Sequence, residues 1–177
     1  LFVGSEGTLG IVTQIIVRLM RLPEAVKTLL AVYDTVDAAA ETVAEITERA
    51  ITPAALEMMD QVTLQAVEDA THAGYPRDAA AVLLIELEGL NQQVEVQAVQ
   101  IADVCRNRGA RSVRVAQSEM ERQKLWAGRK GAFRALGRIA PSFYVQDGVI
   151  PRTRIVETLG HAVVEAEAGY APRRDEG

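Results

Sequence analysis

An α+β sandwich, with helices on one face of a mainly antiparallel sheet, is the fold class the sequence predicts. Strand-like and helix-like segments alternate along the chain, each bounded by Gly, Pro or a capping residue. Two strand candidates, residues 54–59 and 112–116, are short and half-polar, unlike strands buried within a parallel sheet. A third, residues 80–87, falls in the run Ala79-Ala80-Ala81-Val82-Leu83-Leu84-Ile85. That run suits a buried strand and is too short to cross a bilayer. Alternation alone would also permit a doubly wound parallel sheet; the half-polar strands decide against it.

The elements follow in order. Gly4, Gly7 and Gly10 precede Ile11-Val12-Thr13-Gln14-Ile15-Ile16-Val17, a tight glycine loop feeding a strand, and Pro23 ends the pattern. Residues 26–33 form a strand candidate. Thr35 is placed to cap a helix whose apolar positions are Val36, Ala39, Val43, Ile46 and Ala50. Residues 54–59 make a strand, and Asp60 caps a helix with Val62, Ala66 and Val67 that ends near Gly74. After the strand at 80–87, Asn91 opens a helix with Val94, Ala98, Ile101 and Cys105 on one face, closed by Gly109. Residues 112–116 form the next strand. Ser118-Glu119-Met120-Glu121 matches the S-x-x-E capping box and starts a helix running to Leu136. Residues 138–148 read as an irregular connection, and Pro151 suits the first turn of a last helix to about Ala168.

Composition removes several classes of function. A chain of 177 residues with net charge −5 lacks the basic field of a nucleic-acid binder, and 5% aromatic residues offer few stacking platforms. The single Cys105 precludes an internal disulfide or a CxxC site, and its place on an apolar helix face reads as an inert buried thiol. His72, at a helix end, and His161, within the last helix, have no second ligand at metal spacing, so both read as structural and no metal site is expected. No signal peptide is visible, and a start inside Leu1-Phe2-Val3 suggests a piece of a longer protein.

The feature that points to chemistry is Arg129. In the helix over 118–136 the apolar stripe runs Leu125, Phe133, Leu136, and Arg129 lies four residues from both Leu125 and Phe133. A guanidinium on a core-facing stripe keeps its charge and needs an anion. That anion is either a protein carboxylate, such as Glu121 or Asp147, or a ligand carboxylate matched to the planar fork; the stripe leaves both open. Arg122 and Arg134 have weaker claims. The loop Gly4-Ser5-Glu6-Gly7-Thr8-Leu9-Gly10 is not a G-x-G-x-x-G fingerprint, and by itself it reads as a turn between strands.

Taken together, three stretches resemble a known family. Residues 1–13, Leu125-Trp126-Ala127-Gly128-Arg129-Lys130, and Gly137-Arg138-Ile139-Ala140-Pro141 with Asp147-Gly148-Val149-Ile150-Pro151-Arg152 are similar to the vanillyl-alcohol-oxidase-type FAD-linked oxidases. Within that family they are nearest the FAD-carrying D subunits of bacterial glycolate oxidases. The resemblance covers residues 1–168. It implies that residues 1–22 end a flavin-binding domain and that residues 23–177 form a ferredoxin-like cap domain. It implies FAD as cofactor, contacted by Gly4, Ser5, Glu6, Gly7, Thr8 and Gly10. It also implies oxidation of a small 2-hydroxy acid whose carboxylate is bound by Arg129, with Trp126 on the pocket wall. Phe133 stands where the 2-hydroxyglutarate branch has threonine, which favours glycolate or D-lactate. Other glycolate oxidase subunits are implied as partners, in the cytoplasm or tied to a membrane through those subunits. The family's pyrophosphate-binding segments and its His-x-Gly-Asp-Gly-Asn-x-His motif, with the metal ligands and the base, are absent from this sequence. The isolated chain is therefore expected to be catalytically silent. The alternative is a non-enzymatic ferredoxin-like binding or subunit-assembly module, free to pair as a homodimer.

Overall fold

The computed structural model describes residues 2–19, 21–139, 148–151, 154, 155 and 157–159. Most of the connection at 138–148, most of the last expected helix, Asp147 and His161 lie outside the described residues. The elements are β1 (Ala25–Tyr33), α1 (Val36–Glu48), β2 (Ala55–Asp60), α2 (Gln61–Thr71), β3 (Ala81–Gly89), α3 (Asn91–Asn107), β4 (Ser112–Val115), α4 (Glu119–Lys130) and α5 (Ala132–Leu136).

The sheet is antiparallel throughout, in the order β2-β3-β1-β4. β1 and β2 run parallel to each other on either side of β3 and are joined by α1; β3 and β4 likewise flank β1 and are joined by α3. This pair of split β-α-β units is the ferredoxin-like arrangement. Local chemistry sets the helix starts. Thr35 accepts from the Ala38 N–H, Asp60 from the Thr63 N–H and Ser118 from the Glu121 N–H, as their spacing predicts. Gly109 (φ +83°) closes α3 with a Schellman pattern, its N–H donating to Arg106 C=O and that of Ala110 to Cys105 C=O.

β1 and β3 bury successive residues, Leu29 to Tyr33 and Ala81 to Ile85, so both faces of the sheet need cover. On one face Leu29, Ala31, Leu83, Ile85 and Leu87 pack against Ile46 of α1 and Val94, Ile101 and Cys105 of α3. On the other, Leu30, Val32, Val82 and Leu84 pack against Leu64 and Val67 of α2, Leu125 of α4 and Ala132 and Ala135 of α5. Confinement of helices to one face therefore holds for the crossover helices α1 and α3. α2, α4 and α5 cover the opposite face, because a continuous apolar run leaves no solvated side.

Two further expectations are corrected. Residues 11–17 form no strand: they lie outside every ladder, and Ile11, Ile15 and Ile16 are largely exposed. A strand needs a partner for its N–H and C=O groups, and none stands beside this segment among the described residues. The helix expected over 118–136 breaks at Gly131 into α4 and α5. The buried line is then Leu125, Gly128, Ala132 and Ala135, while Phe133 is 56% exposed and Arg129 only half-buried. The small residues win the buried line because α4 packs closely on α2 and on the segment that follows it. A Cβ on Gly128 would stand 2.7 Å from Ala73 Cβ and 2.9 Å from Tyr75 Cε2.

Candidate functional site

The polar end of the α4-covered face gathers the chemistry. On β2 and β3 the inward positions begin apolar and then turn acidic: Met59 then Glu57, Leu84 then Glu86. Register pairs Glu57 with Leu84 and Ala55 with Glu86, so the two carboxylates are diagonal neighbours on one sheet face. Like charges at that spacing repel and need cations between them. α4 supplies the cations.

Glu86 is the hub. Its Oε2 accepts from Thr28 Oγ1 at 2.7 Å, Arg122 Nη1 at 2.9 Å and Trp126 Nε1 at 2.6 Å. Arg122 turns its other edge to Glu119, with Nε and Nη2 both at 2.8 Å. The Arg122 guanidinium, helped by Gln123, holds the exposed Glu119 carboxyl well down, at about 2. Two turns further along α4, Arg129 donates to Glu57 Oε2 from Nε at 3.1 Å and from Nη2 at 2.7 Å. The protein carboxylate that meets Arg129 is therefore Glu57, rather than Glu121, which pairs with Arg114 and accepts from the Gln117 N–H.

Tyr75 fixes the helix over this layer. Its hydroxyl donates to Leu125 C=O at 2.7 Å, and its N–H donates to Glu68 Oε1 at 2.8 Å. Burial pushes the phenol pKa well up, so it stays a donor. Cys105 is fully buried and its thiol is likewise pushed up by burial, in keeping with an inert core residue. His72 is the left-handed C-cap of α2 (φ +49°), and its N–H donates to Glu68 C=O.

A recess of about 420 Å³ opens beside α4, lined by Ala55, Glu86, Arg122, Gln123, Trp126, Ala127 and Lys130. Of the candidate residues singled out in the sequence, Trp126 and Arg122 line it. Arg129 lies outside its lining, on the side of α4 turned to β2, and Phe133 is exposed on α5. Gly4, Ser5, Glu6, Gly7 and Thr8 lie in two successive turns, Ser5 N–H to Phe2 C=O and Thr8 N–H to Ser5 C=O, and Gly10 follows them. Among the described residues, the hydrogen bonds of residues 2–19 stay within that loop. Glu57 and Glu86 were not anticipated. Their one signal is a carboxylate at an inward position of a strand that is otherwise apolar, which demands a partner. Among the described residues there is no cluster of His, Cys, Asp and Glu able to hold a metal, and no helix long and apolar enough to cross a membrane.

The chain is similar in sequence and fold to known proteins. Glycolate oxidase subunit GlcD of Escherichia coli (strain K12) is 47% identical over 159 residues, which is 90% of this chain and 32% of that protein. The subunit of the same name from Bacillus subtilis (strain 168) is 48% identical over 170 residues, 96% of this chain and 36% of that protein. A probable mitochondrial D-lactate dehydrogenase of Danio rerio is 28% identical over 161 residues, 90% of this chain and 32% of that protein. The chain thus spans about a third of the length of the curated relatives it matches. Among solved structures, alkyldihydroxyacetonephosphate synthase superposes with a TM-score of 0.67 at 18% identity, over 96% of this chain and 36% of that one, a likeness of fold. The model of the family "FAD linked oxidases, C-terminal domain" matches residues 22–168, most of the molecule, and the chain belongs to that family.

Proposed function

We propose that this chain is the substrate-side cap of an FAD-dependent oxidoreductase that converts a small 2-hydroxy acid, glycolate or D-lactate, to the 2-oxo acid. The near-half identity to glycolate oxidase subunits supports the reaction class. The observation that carries the reading is Arg129. Its guanidinium is half-buried and held by one edge, with no partner for Nη1 among the described residues. That free end has the planar fork geometry that grips a carboxylate through two parallel N–H bonds. Trp126, fixed through its indole N–H to Glu86, gives the site a rigid wall. Phe133, exposed on α5, stands where the 2-hydroxyglutarate branch has threonine, which supports a smaller, less polar acid.

The residues present fit FAD as one wall of its site. Gly4 and Gly7 take positive φ, and no atom lies within 4 Å of where a Cβ would stand on either, so bare backbone is open to a flat ligand. Gly4, Ser5, Glu6, Gly7, Thr8 and Gly10 would hold the flavin's edge, and bound FAD supplies the acceptor for the hydride equivalent. The exposed Ile11, Ile15, Ile16, Val17, Leu19 and Leu22 support residues 1–22 as the margin of a second domain that covers them, with the cap proper beginning near residue 23. A relative named as an oxidase subunit supports assembly with other subunits.

The test is Arg129→Ala in the whole FAD-loaded protein, assayed by hydroxy-acid-dependent reduction of a dye. Loss of a charge-assisted bidentate contact is worth about 1.5–3 kcal/mol, so KM should rise by roughly one to two decades with the melting temperature little changed. An unchanged KM would remove Arg129 from substrate binding.

A further inference from the structure

We infer that Glu57 is the positioning residue of the carboxylate clamp: it holds Arg129 by one edge and aims the opposite fork at the substrate. The inference rests on the proposed role of Arg129. It comes from the geometry of a single oxygen. Both Nε and Nη2 of Arg129 converge on Oε2 of Glu57, at 3.1 and 2.7 Å. A guanidinium has five N–H bonds in a fixed plane, arranged as two usable forks, one along the Nε–Nη2 edge and one at the Nη1–Nη2 end. Glu57 takes the first. The second keeps both N–H bonds of Nη1 and one of Nη2, and pinning the first edge fixes the plane in which these point.

The backbone around the pair makes such pinning effective. Glu57 sits within β2, whose ladder to β3 holds its Cα opposite Leu84. Arg129 sits in the last turn of α4, whose approach to α2 is set by the contacts over Gly128 and by the Tyr75 hydroxyl on Leu125 C=O. Both ends of the pair are thus anchored in regular structure, the condition under which a clamp keeps its direction. Arginine is rich in rotamers, and a residue that orders it before substrate arrives removes part of that entropic cost from binding.

Other roles for Glu57 make opposite forecasts. A carboxylate that competed with the substrate for Arg129 would weaken binding, so its removal would tighten it. A plain structural pair would change stability and leave KM alone.

The experiment is a comparison of Glu57→Ala and Glu57→Gln, alone and each combined with Arg129→Ala, in the whole FAD-loaded protein with glycolate and D-lactate as probes. Positioning predicts that Glu57→Ala raises KM by roughly five- to twentyfold with kcat within about threefold, because ground-state and transition-state binding are lost together. Glu57→Gln keeps an acceptor oxygen and should restore KM to within roughly threefold of the parent. On the Arg129→Ala background, Glu57→Ala should add almost nothing, since two residues acting through one contact are not additive. A KM that falls on Glu57→Ala, or stays put while the melting temperature drops, overturns the inference. Equal KM values for the Ala and Gln variants overturn it as well. Should Arg129→Ala itself leave KM unchanged, the clamp reading fails first and Glu57 with it. If Arg129→Ala raises KM and Glu57→Ala does not, only the positioning role is lost.

Discussion

The two faces of the sheet solve different problems with the same strands. On the α1/α3 face the inward residues of β1 and β3 from Leu29 to Tyr33 and from Ala81 to Leu87 are apolar save for the Tyr33 hydroxyl, and they meet the mainly aliphatic residues of α1 and α3. On the α2/α4/α5 face the apolar packing stops at Leu30, Leu84 and Met59, and one step further along the strands come Thr28, Glu86 and Glu57. The first face needs only shape and dryness. The second is held by charges with directed partners, Arg122 and Trp126 on Glu86 and Arg129 on Glu57. The difference assigns stability to one face and candidate chemistry to the other, since directed polar groups can be shared with a ligand and aliphatic packing cannot.

Three changes sharpen that contrast. Ile101→Ala should have the largest effect: it empties space between α3 and the sheet, where Ile101 is fully buried, and should cost about 2–5 kcal/mol in urea unfolding while leaving substrate KM in place. A shift in KM comparable to that of Arg129→Ala would break the division of labour. Glu86→Ala comes next. It strips Thr28, Arg122 and Trp126 of a common acceptor, and a loss of roughly 2–3 kcal/mol is expected, with Glu86→Gln losing less. Tryptophan fluorescence should move with it, since the indole N–H loses its partner; an unmoved emission maximum would mean that Trp126 is held by packing alone.

The smallest effect is in pH. Arg122 holds the folded Glu119 carboxyl at about 2, below its ordinary 4.5, so the unfolded chain binds a proton there before the folded one does. Its contribution is complete above the ordinary value and disappears as pH falls from 4.5 towards 2, and stability rises with pH across that window. Glu119→Gln should flatten the slope of stability against pH in that range alone. A slope identical to the parent's would show that the pair is loose in solution.

Legibility followed the range of each interaction. Thr35, Asp60 and Ser118 were readable as caps because each accepts from an N–H three residues on, a distance the sequence states directly. The inward arginine was readable for the same reason, from its spacing to Leu125. Its partner was not, because Glu57 lies 72 residues away and reaches it only through sheet register and helix docking. The exposure of Phe133 was hidden because the buried line runs Leu125, Gly128, Ala132 and Ala135, three and four residues apart, and Phe133 stands one position past it. The β-branched residues at 11–17 predicted a strand that does not form, because a strand is a relation between two segments.

The sequence by itself determined the four strands of the sandwich, the helices between them, their starts, and the presence of a charge that must find an anion. These rest on periodicity and capping, which act over a turn or two of chain. Tertiary structure alone decided that both faces are covered, that Glu57 and Glu86 stand side by side, and which edge of Arg129 Glu57 takes. Those depend on contacts between distant segments, whose geometry is set only when the layers close and each buried charge takes the nearest partner that satisfies it.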